Sequence, residues 1–243
     1  MSDPTYRWES ATATHTGKVR EINEDACLAL PRRGLWVVAD GMGGHEAGDV
    51  ASRMIVESLS DVQRHDNPAD FLDEVEDRLL DVNLNLYESG APRARTIGST
   101  VVGLLVMGHH VVIIWAGDSR AYRLRDGVFE KMTVDHSQVE MMVQTGELRP
   151  EDAEHHPLAN VITRAVGGTE DLHLDVELRQ IQSGDRYLLC SDGLYKDLDD
   201  ATLARCLGNG DSEAACEALL TEALAGEASD NITAAVIEFS DAD

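Results

Sequence analysis

The chain has 243 residues, 43% of them hydrophobic, enough for one large domain with a substantial core. Twenty basic residues against 45 acidic ones leave a net charge of −25, and such a surface repels nucleic-acid phosphates and anionic lipid, so neither nucleic acid nor a membrane is an expected partner. The four cysteines, Cys27, Cys190, Cys206 and Cys216, form no Cys-x-x-Cys pair, which argues against a zinc knuckle or a disulfide framework and for a reducing cytoplasm. The N-terminal residues lack the pattern of an export signal, and no segment offers ~18 unbroken apolar residues. No linker or repeat divides the chain, so residues 1–243 are expected to form a single domain.

Tyr6 to Thr16 alternate loosely and predict a first strand, Gly17 to Asp25 a charged loop, and Ala26 to Leu30 a second strand. After a turn at Pro31 to Gly34, Leu35 to Ala39 are too short for a buried helix and too β-branched for a loop, so they predict a covered strand. It ends at Asp40 and a glycine-rich turn, Gly41-Met-Gly-Gly44, that bares backbone carbonyls. Ala47, Val50, Ala51, Met54, Ile55 and Leu59 share one helical face, and Asn67-Pro68 opens a second amphipathic helix through Phe71, Val75, Leu79, Val82 and Leu86.

The apolar period then changes to two. Thr100 to Val106 meets Val111 to Ala116, and Ala121 to Arg125 meets Val128 to Met132 through Asp126-Gly127, so four consecutive strands predict one antiparallel sheet. Residues 137 to 160 predict short helical pieces in a long excursion, a size of loop that often carries function. Leu172 to Leu178 and Arg186 to Cys190 read as strands, Asp211 or Ser212 starts a helix to about Leu224, and Ile232 to Phe239 is a closing strand. Helices in two places among runs of strands predict layered α+β packing.

Four aspartates share one context, a strand end beside a turn: Asp40, Asp118, Asp192 and Asp230. Each alone has an ordinary reading as a helix cap or an Asx-turn. If the strand ends converge, enclosed carboxylates require cations, and an all-oxygen set without a His or Cys pattern favours Mg²⁺ or Mn²⁺. Two such ions activate water and neutralise a phosphoryl group, and Arg20 has the planar fork that grips a phosphate.

Seven motifs occur in order: Arg20-Glu-Ile-Asn-Glu24-Asp25, Val38-Ala-Asp40-Gly-Met-Gly-Gly-His45, Gly98-Ser-Thr100, Gly117-Asp118-Ser-Arg120, Thr133-Val-Asp135-His136-Ser137, Leu189-Cys-Ser-Asp192-Gly193 and Ser229-Asp230-Asn231-Ile232-Thr233. Together they resemble, nearly end to end, the bacterial branch of the metal-dependent type 2C serine/threonine protein phosphatases. The resemblance implies an α+β fold: a four-layer α-β-β-α sandwich of two mainly antiparallel sheets with helix pairs on the outer faces. It implies that Asp40 bridges two metals, that Gly41 offers its carbonyl to one, that Asp192 and Asp230 hold the other, and that Glu24 binds through water. Asp118, with Asp192, matches a weaker third metal site. Arg20 matches the residue that holds the substrate phosphate, and residues about 137–160 match a variable flap.

The implied reaction is attack on phosphoserine or phosphothreonine by metal-activated water, without a phosphoenzyme or a catalytic cysteine. Animal members carry a histidine, a proposed general acid, directly after the Asp-Gly; Met42 stands there in this chain, which leaves the leaving-group proton to a metal-bound water or to His45. Gly98, Ser99 and Thr100 are expected to support the site, and Asp135, His136 and Ser137 to tie a strand to the flap. Phosphorylated proteins and a cognate Ser/Thr kinase are the implied partners, in the cytoplasm. The Asp40 block and Ile97-Gly-Ser-Thr100 are similar to phosphatases that accompany type VI secretion kinases.

Overall fold

The architecture follows from how one strand, β3 (Leu35–Met42), buries both of its faces. Leu35, Val37 and Ala39 enter a core shared with helices α1 (Ala47–Leu59) and α2 (Pro68–Gly90), while the intervening Trp36 and Val38 enter a second core between two sheets. Side chains alternate across a strand, so an unbroken apolar run is what a strand covered on both faces requires. The computed structural model from which this is drawn describes residues 6–43, 47–65, 67–90 and 97–242.

Strands β1 (Tyr6–His15), β2 (Asp25–Leu30), β4 (Gly98–Ser99), β5 (Val101–Met107), β6 (His110–Ala116), β7 (Arg120–Arg125), β8 (Val128–Lys131), β9 (Asp175–Gln180), β10 (Arg186–Cys190) and β11 (Ile232–Asp241) complete two antiparallel sheets. One runs β2-β3-β5-β6-β9, with β4 paired to the end of β3, and the other runs β1-β11-β10-β7-β8. Trp36, Tyr187 and Phe239 are fully buried where the sheets meet. On the far side of the second sheet, Leu188, Ala234 and Val236 pack against α4 (Asp192–Tyr195), α5 (Asp200–Leu207) and α6 (Ser212–Ala225). Helices, sheet, sheet and helices are therefore stacked in four layers, the implied α-β-β-α sandwich.

Three local expectations need correction. The four strands from β5 to β8 do not form one sheet: the β5–β6 hairpin belongs to the first and the β7–β8 hairpin to the second. Turn signals fix which neighbours pair but not which layer a hairpin joins, and the chain crosses between layers at Gly117 to Ser119, which carries Asp118. Helices α4 and α5 fall in a stretch where no helix is predicted; α5 is only two turns, capped by Asp199, whose side chain accepts from Thr202 N at 2.8 Å. Strand β9 starts later than the Leu172 start predicted, because Leu172 and Leu174 pack into the helix-side core before pairing begins and leave Val176 and Leu178 facing solvent on an edge.

Other expectations match. Asp126 and Gly127 both take positive φ, 50° and 77°, at the β7–β8 turn. Asn67 Oδ1 accepts from Ala69 N at 3.2 Å just ahead of Pro68. Residues 137 to 160 contain α3 (Gln138–Gln144) and a single 3₁₀ turn at Pro150–Asp152, with Ser137 Oγ accepting from Glu140 N at 3.2 Å as the α3 cap.

Candidate active site

Both sheets deliver aspartates to the same end of the sandwich. In the β2–β3 ladder Asp25 lies directly opposite Asp40. Asp118 follows β6, Asp192 is the first residue of α4 directly after β10, and Asp230 precedes β11, the partner of β10. Backbones approach here more closely than a side chain allows. A Cβ on Gly41 would stand 2.0 Å from the carbonyl oxygen of Gly48 in α1, and one on Gly193 would stand 2.1 Å from that of Asn231. Glycine at these positions lets the end of β3 touch α1, and the Asp192 turn lie against the Asp230 turn. Gly41 N also donates to Glu24 O at 3.1 Å, which brings Glu24 to the same edge. Gly41→Ala is expected to cost about 1–3 kcal/mol or more by overpacking against main chain, read as a lower urea midpoint; a midpoint equal to the parent's would refute the contact.

Hydrogen bonds fix Asp40 and Asp118 through their backbones. Asp40 N donates to Thr100 Oγ1 at 3.1 Å, and Asp40 O accepts from Thr100 N at 2.8 Å and from Ser99 Oγ at 3.0 Å. Thr100 Oγ1 also shares a hydrogen bond with Ser119 Oγ at 2.7 Å, linking Asp40 to the Asp118 turn. Asp118 O accepts from the Tyr195 hydroxyl at 3.0 Å, and the Tyr195 ring lies 3.5 Å under the Arg120 guanidinium. Arg120 in turn grips Asp135 with two nitrogens, the shortest bond 2.7 Å, and this buried pair ties β7 to the approach to α3. Asn231 joins the remaining parts: its Oδ1 accepts from Glu24 N at 2.8 Å, and its Nδ2 donates to Thr16 O at 2.8 Å and Ile22 O at 3.0 Å.

The carboxylates are held in an environment that resists their charge. Burial, reinforced by the neighbouring carboxylates, pushes both Asp25 and Asp118 up to about 7. Asp40 is only partly covered by its surface area, yet its carboxyl is enclosed, and that enclosure with Asp25, Asp192, Asp118 and Asp230 nearby raises it well above the usual range. Asp25 Oδ2 accepts from Ser191 Oγ at 2.7 Å, while among the described residues Asp25 Oδ1 and Asp118 Oδ1 are buried without a hydrogen-bond partner. Among the described residues, Arg20 and Lys196 reach the cluster. Arg20 Nη2 donates to Asp230 Oδ2 at 2.7 Å with the Arg20 side chain half exposed, and Lys196 forms an ion pair with Asp192. Burial disfavours the Lys196 charge, but Asp192, Asp118 and Asp40 outweigh it and raise the Lys196 pKa.

Orphaned buried carboxylate oxygens, several acids with raised pKa values and an all-oxygen donor set suit a hard divalent cation. Among the described residues no three His, Cys, Asp or Glu side chains already close on one point, so backbone carbonyls and water would complete any coordination shell, as such ions commonly accept. Of the residues singled out in the sequence, Arg20, Glu24, Asp40, Gly41, Asp118, Asp192 and Asp230 lie at this end of the sandwich; His45 falls outside the described residues.

Sequence reasoning missed Asp25, Asn231 as a tie between loops, and Lys196. Asp25 follows Glu24 in a quoted motif, but its position opposite Asp40 depends on the hairpin register. A Cys-x₅-Arg spacing, a signal used by cysteine phosphatases, does occur at Cys27 and Arg33. It builds no phosphate loop: Cys27 is paired within β2, burial raises its thiol, and Arg33 Nη1 donates to Ser60 O at 2.9 Å.

Two back-to-back antiparallel sheets, helices outside both, and aspartates gathered at one end make a scaffold with a site suited to divalent cations. The family profile described as Protein phosphatase 2C matches residues 14–231. The chain belongs to this family. The serine/threonine protein phosphatase PstP of Mycobacterium tuberculosis is 34% identical over 245 residues, covering 100% of this chain and 47% of PstP, so the chain spans about half the length of that relative. Among solved structures, that of PppA, a key regulatory component of T6SS in Pseudomonas aeruginosa, superposes with a TM-score of 0.88 at 41% identity, covering 96% of this chain and 98% of the other. The catalytic domain of serine/threonine protein phosphatase PstP in complex with two manganese ions gives a TM-score of 0.87 at 31% identity, covering 98% and 100%.

Proposed function

We propose that this chain hydrolyses phosphoserine and phosphothreonine in proteins with two divalent cations, Mn²⁺ or Mg²⁺, held at the aspartate-lined end of the sandwich. The observation that carries this is the meeting of Asp25, Asp40, Asp118, Asp192 and Asp230 on strand ends from both sheets, with Asp25 Oδ1 and Asp118 Oδ1 buried and unpartnered among the described residues. In this reading Asp40, the Gly41 carbonyl oxygen, Asp192 and Asp230 would hold the cations directly, and Glu24 would hold one through water. Asp118 is assigned, with Asp192, to a weaker third position. When bound, the cations lower the pKa of a water and neutralise charge on the phosphoryl oxygens. Arg20 leans on Asp230 with one nitrogen and keeps half of its side chain exposed, so its fork is open to a phosphate monoester.

We take residues 1–243 as one catalytic domain with 137–160 as the flap beside the site, and the partners as phosphoproteins together with a cognate Ser/Thr kinase in the cytoplasm. The PppA likeness favours a role linked to type VI secretion. Among the described residues no helix is long and apolar enough to cross a membrane.

Purified protein is expected to lose turnover of a phosphothreonine peptide in EDTA, to regain it with Mn²⁺, and to keep it after iodoacetamide treatment. Cys190, Cys206 and Cys216 are buried, and burial raises every thiol, pushing Cys216 up to about 12, so none supplies a thiolate at neutral pH. Activity that survives chelation would overturn the proposal.

A further inference from the structure

Lys196 follows the single turn of α4, so its side chain returns to Asp192 four residues earlier and forms an ion pair there. The same ammonium donates to Asn160 Oδ1 at 2.8 Å. Asn160 belongs to the excursion between β8 and β9, 36 residues away in sequence. Carboxylate, ammonium and amide thus form a bridge from the site to a segment that otherwise has few regular elements. The bridge borders a cavity of about 280 Å³, lined also by Asp118, Ser137, Glu140 and Tyr195. Into this region Asp118 brings a buried Oδ1 with no partner among the described residues.

An ammonium and a divalent ion cannot both sit close to one carboxylate without repelling each other, and the ion carries twice the charge. Lys196 has a four-carbon stem and a side chain 33% exposed, so it has room to move away. Leaving Asp192 puts its bond to Asn160 at risk, because the two contacts are made by one nitrogen.

We propose that Lys196 is a resident counter-cation that competes with a divalent ion for Asp192 and, through Asn160, couples that competition to the position of residues 137–160. Lys196 is a positioning residue in this account, not a group that touches the reacting atoms. The inference rests on the reading of Asp192 as a cation ligand.

The test uses the full chain stripped of metal, MnCl₂ calorimetry, and hydrogen exchange of peptides covering residues 153–162. Losing a charge-assisted contact that opposes the ion, Lys196→Met is expected to bind Mn²⁺ roughly tenfold or more tightly than the parent. In the parent, Mn²⁺ raises exchange in 153–162. In Lys196→Met exchange there is already high and Mn²⁺ leaves it unchanged. Asn160→Ala shows the same high exchange but an Mn²⁺ affinity within about threefold of the parent, since the competing ammonium is still on Asp192. Lys196→Gln, which keeps most of the length without charge, repeats the affinity gain if the methionine variant folds poorly. Equal Mn²⁺ affinity in parent and both Lys196 variants, or exchange in the parent that ignores Mn²⁺, overturns the coupling while leaving the proposed function standing. A parent that binds no Mn²⁺ at all overturns both.

Discussion

Asp40→Asn is expected to abolish metal-dependent turnover, by roughly a thousandfold or more, about 4 kcal/mol of barrier, while making the metal-free protein more stable at pH 8. The two effects have one cause. Asp40 is enclosed beside Asp25, Asp118, Asp192 and Asp230, and that enclosure disfavours its negative charge. Without cations the cluster is a liability, and one neutral amide relieves it; with cations the missing oxygen charge is what function lacks.

The pH dependence of the metal-free chain follows with a definite sign. Asp25 and Asp118 are raised from 3.8 to about 7, so between about pH 4 and about pH 7 the folded state holds protons that the unfolded state has released. Stability from these groups is full below about pH 4 and declines as pH rises through that window. The melting temperature without metal should therefore be higher at pH 5.5 than at pH 8. Mn²⁺, which binds the charged form, should recover the loss at pH 8. In Asp40→Asn the decline should be shallower, with a melting temperature at pH 8 raised by ~2–4 °C for each ~1 kcal/mol relieved. A variant with near-normal turnover sinks the ligand role, and a metal-free melting temperature that climbs from pH 5.5 to pH 8 sinks the electrostatic account.

What the sequence could and could not disclose follows from how far each signal reaches. The β3 run is legible because a strand covered on both faces needs an unbroken apolar stretch, and the faces of α1 and α2 because burial on one face repeats at a fixed local period. The Asp126-Gly127 turn was legible because only a few residue types tolerate its positive φ. Which sheet each hairpin joins was not legible, since Gly117 to Ser119 carry no local mark of a change of layer. The aspartates could be found by their strand-end context and by the ordered motifs. Asp25 could not, because its partner Asp40 is set by pairing across a hairpin. Lys196 also lacked a signal: a lysine four residues after an aspartate is an ordinary helix pair until the fold puts Asn160 on the same ammonium.

Asn231→Ala is the second change expected to have a large effect, and it separates scaffold from ligand. Asn231 is 5% exposed and holds no place in the proposed coordination set, yet its side chain makes three hydrogen bonds to main chain, to Glu24 N, Thr16 O and Ile22 O. Those groups lie on the loop that carries Arg20 and Glu24, and that loop has no strand ladder of its own between β1 and β2. Removing the amide leaves one donor and two acceptors without their partner, and water entering a shallow loop will satisfy part of the deficit. The expected loss is therefore about 2–4 kcal/mol rather than the full sum of three desolvated groups. Loosening that loop should also raise KM for a phosphopeptide and weaken Mn²⁺ binding, whereas Arg20→Ala should raise KM without lowering the melting temperature, because its ion pair with Asp230 is exposed. If Asn231→Ala melts within about 1 °C of the parent, the loop is held by something other than this amide. If it melts lower but keeps the parent KM, the loop's position does not govern substrate binding, and Arg20 would lose its assignment to the phosphate.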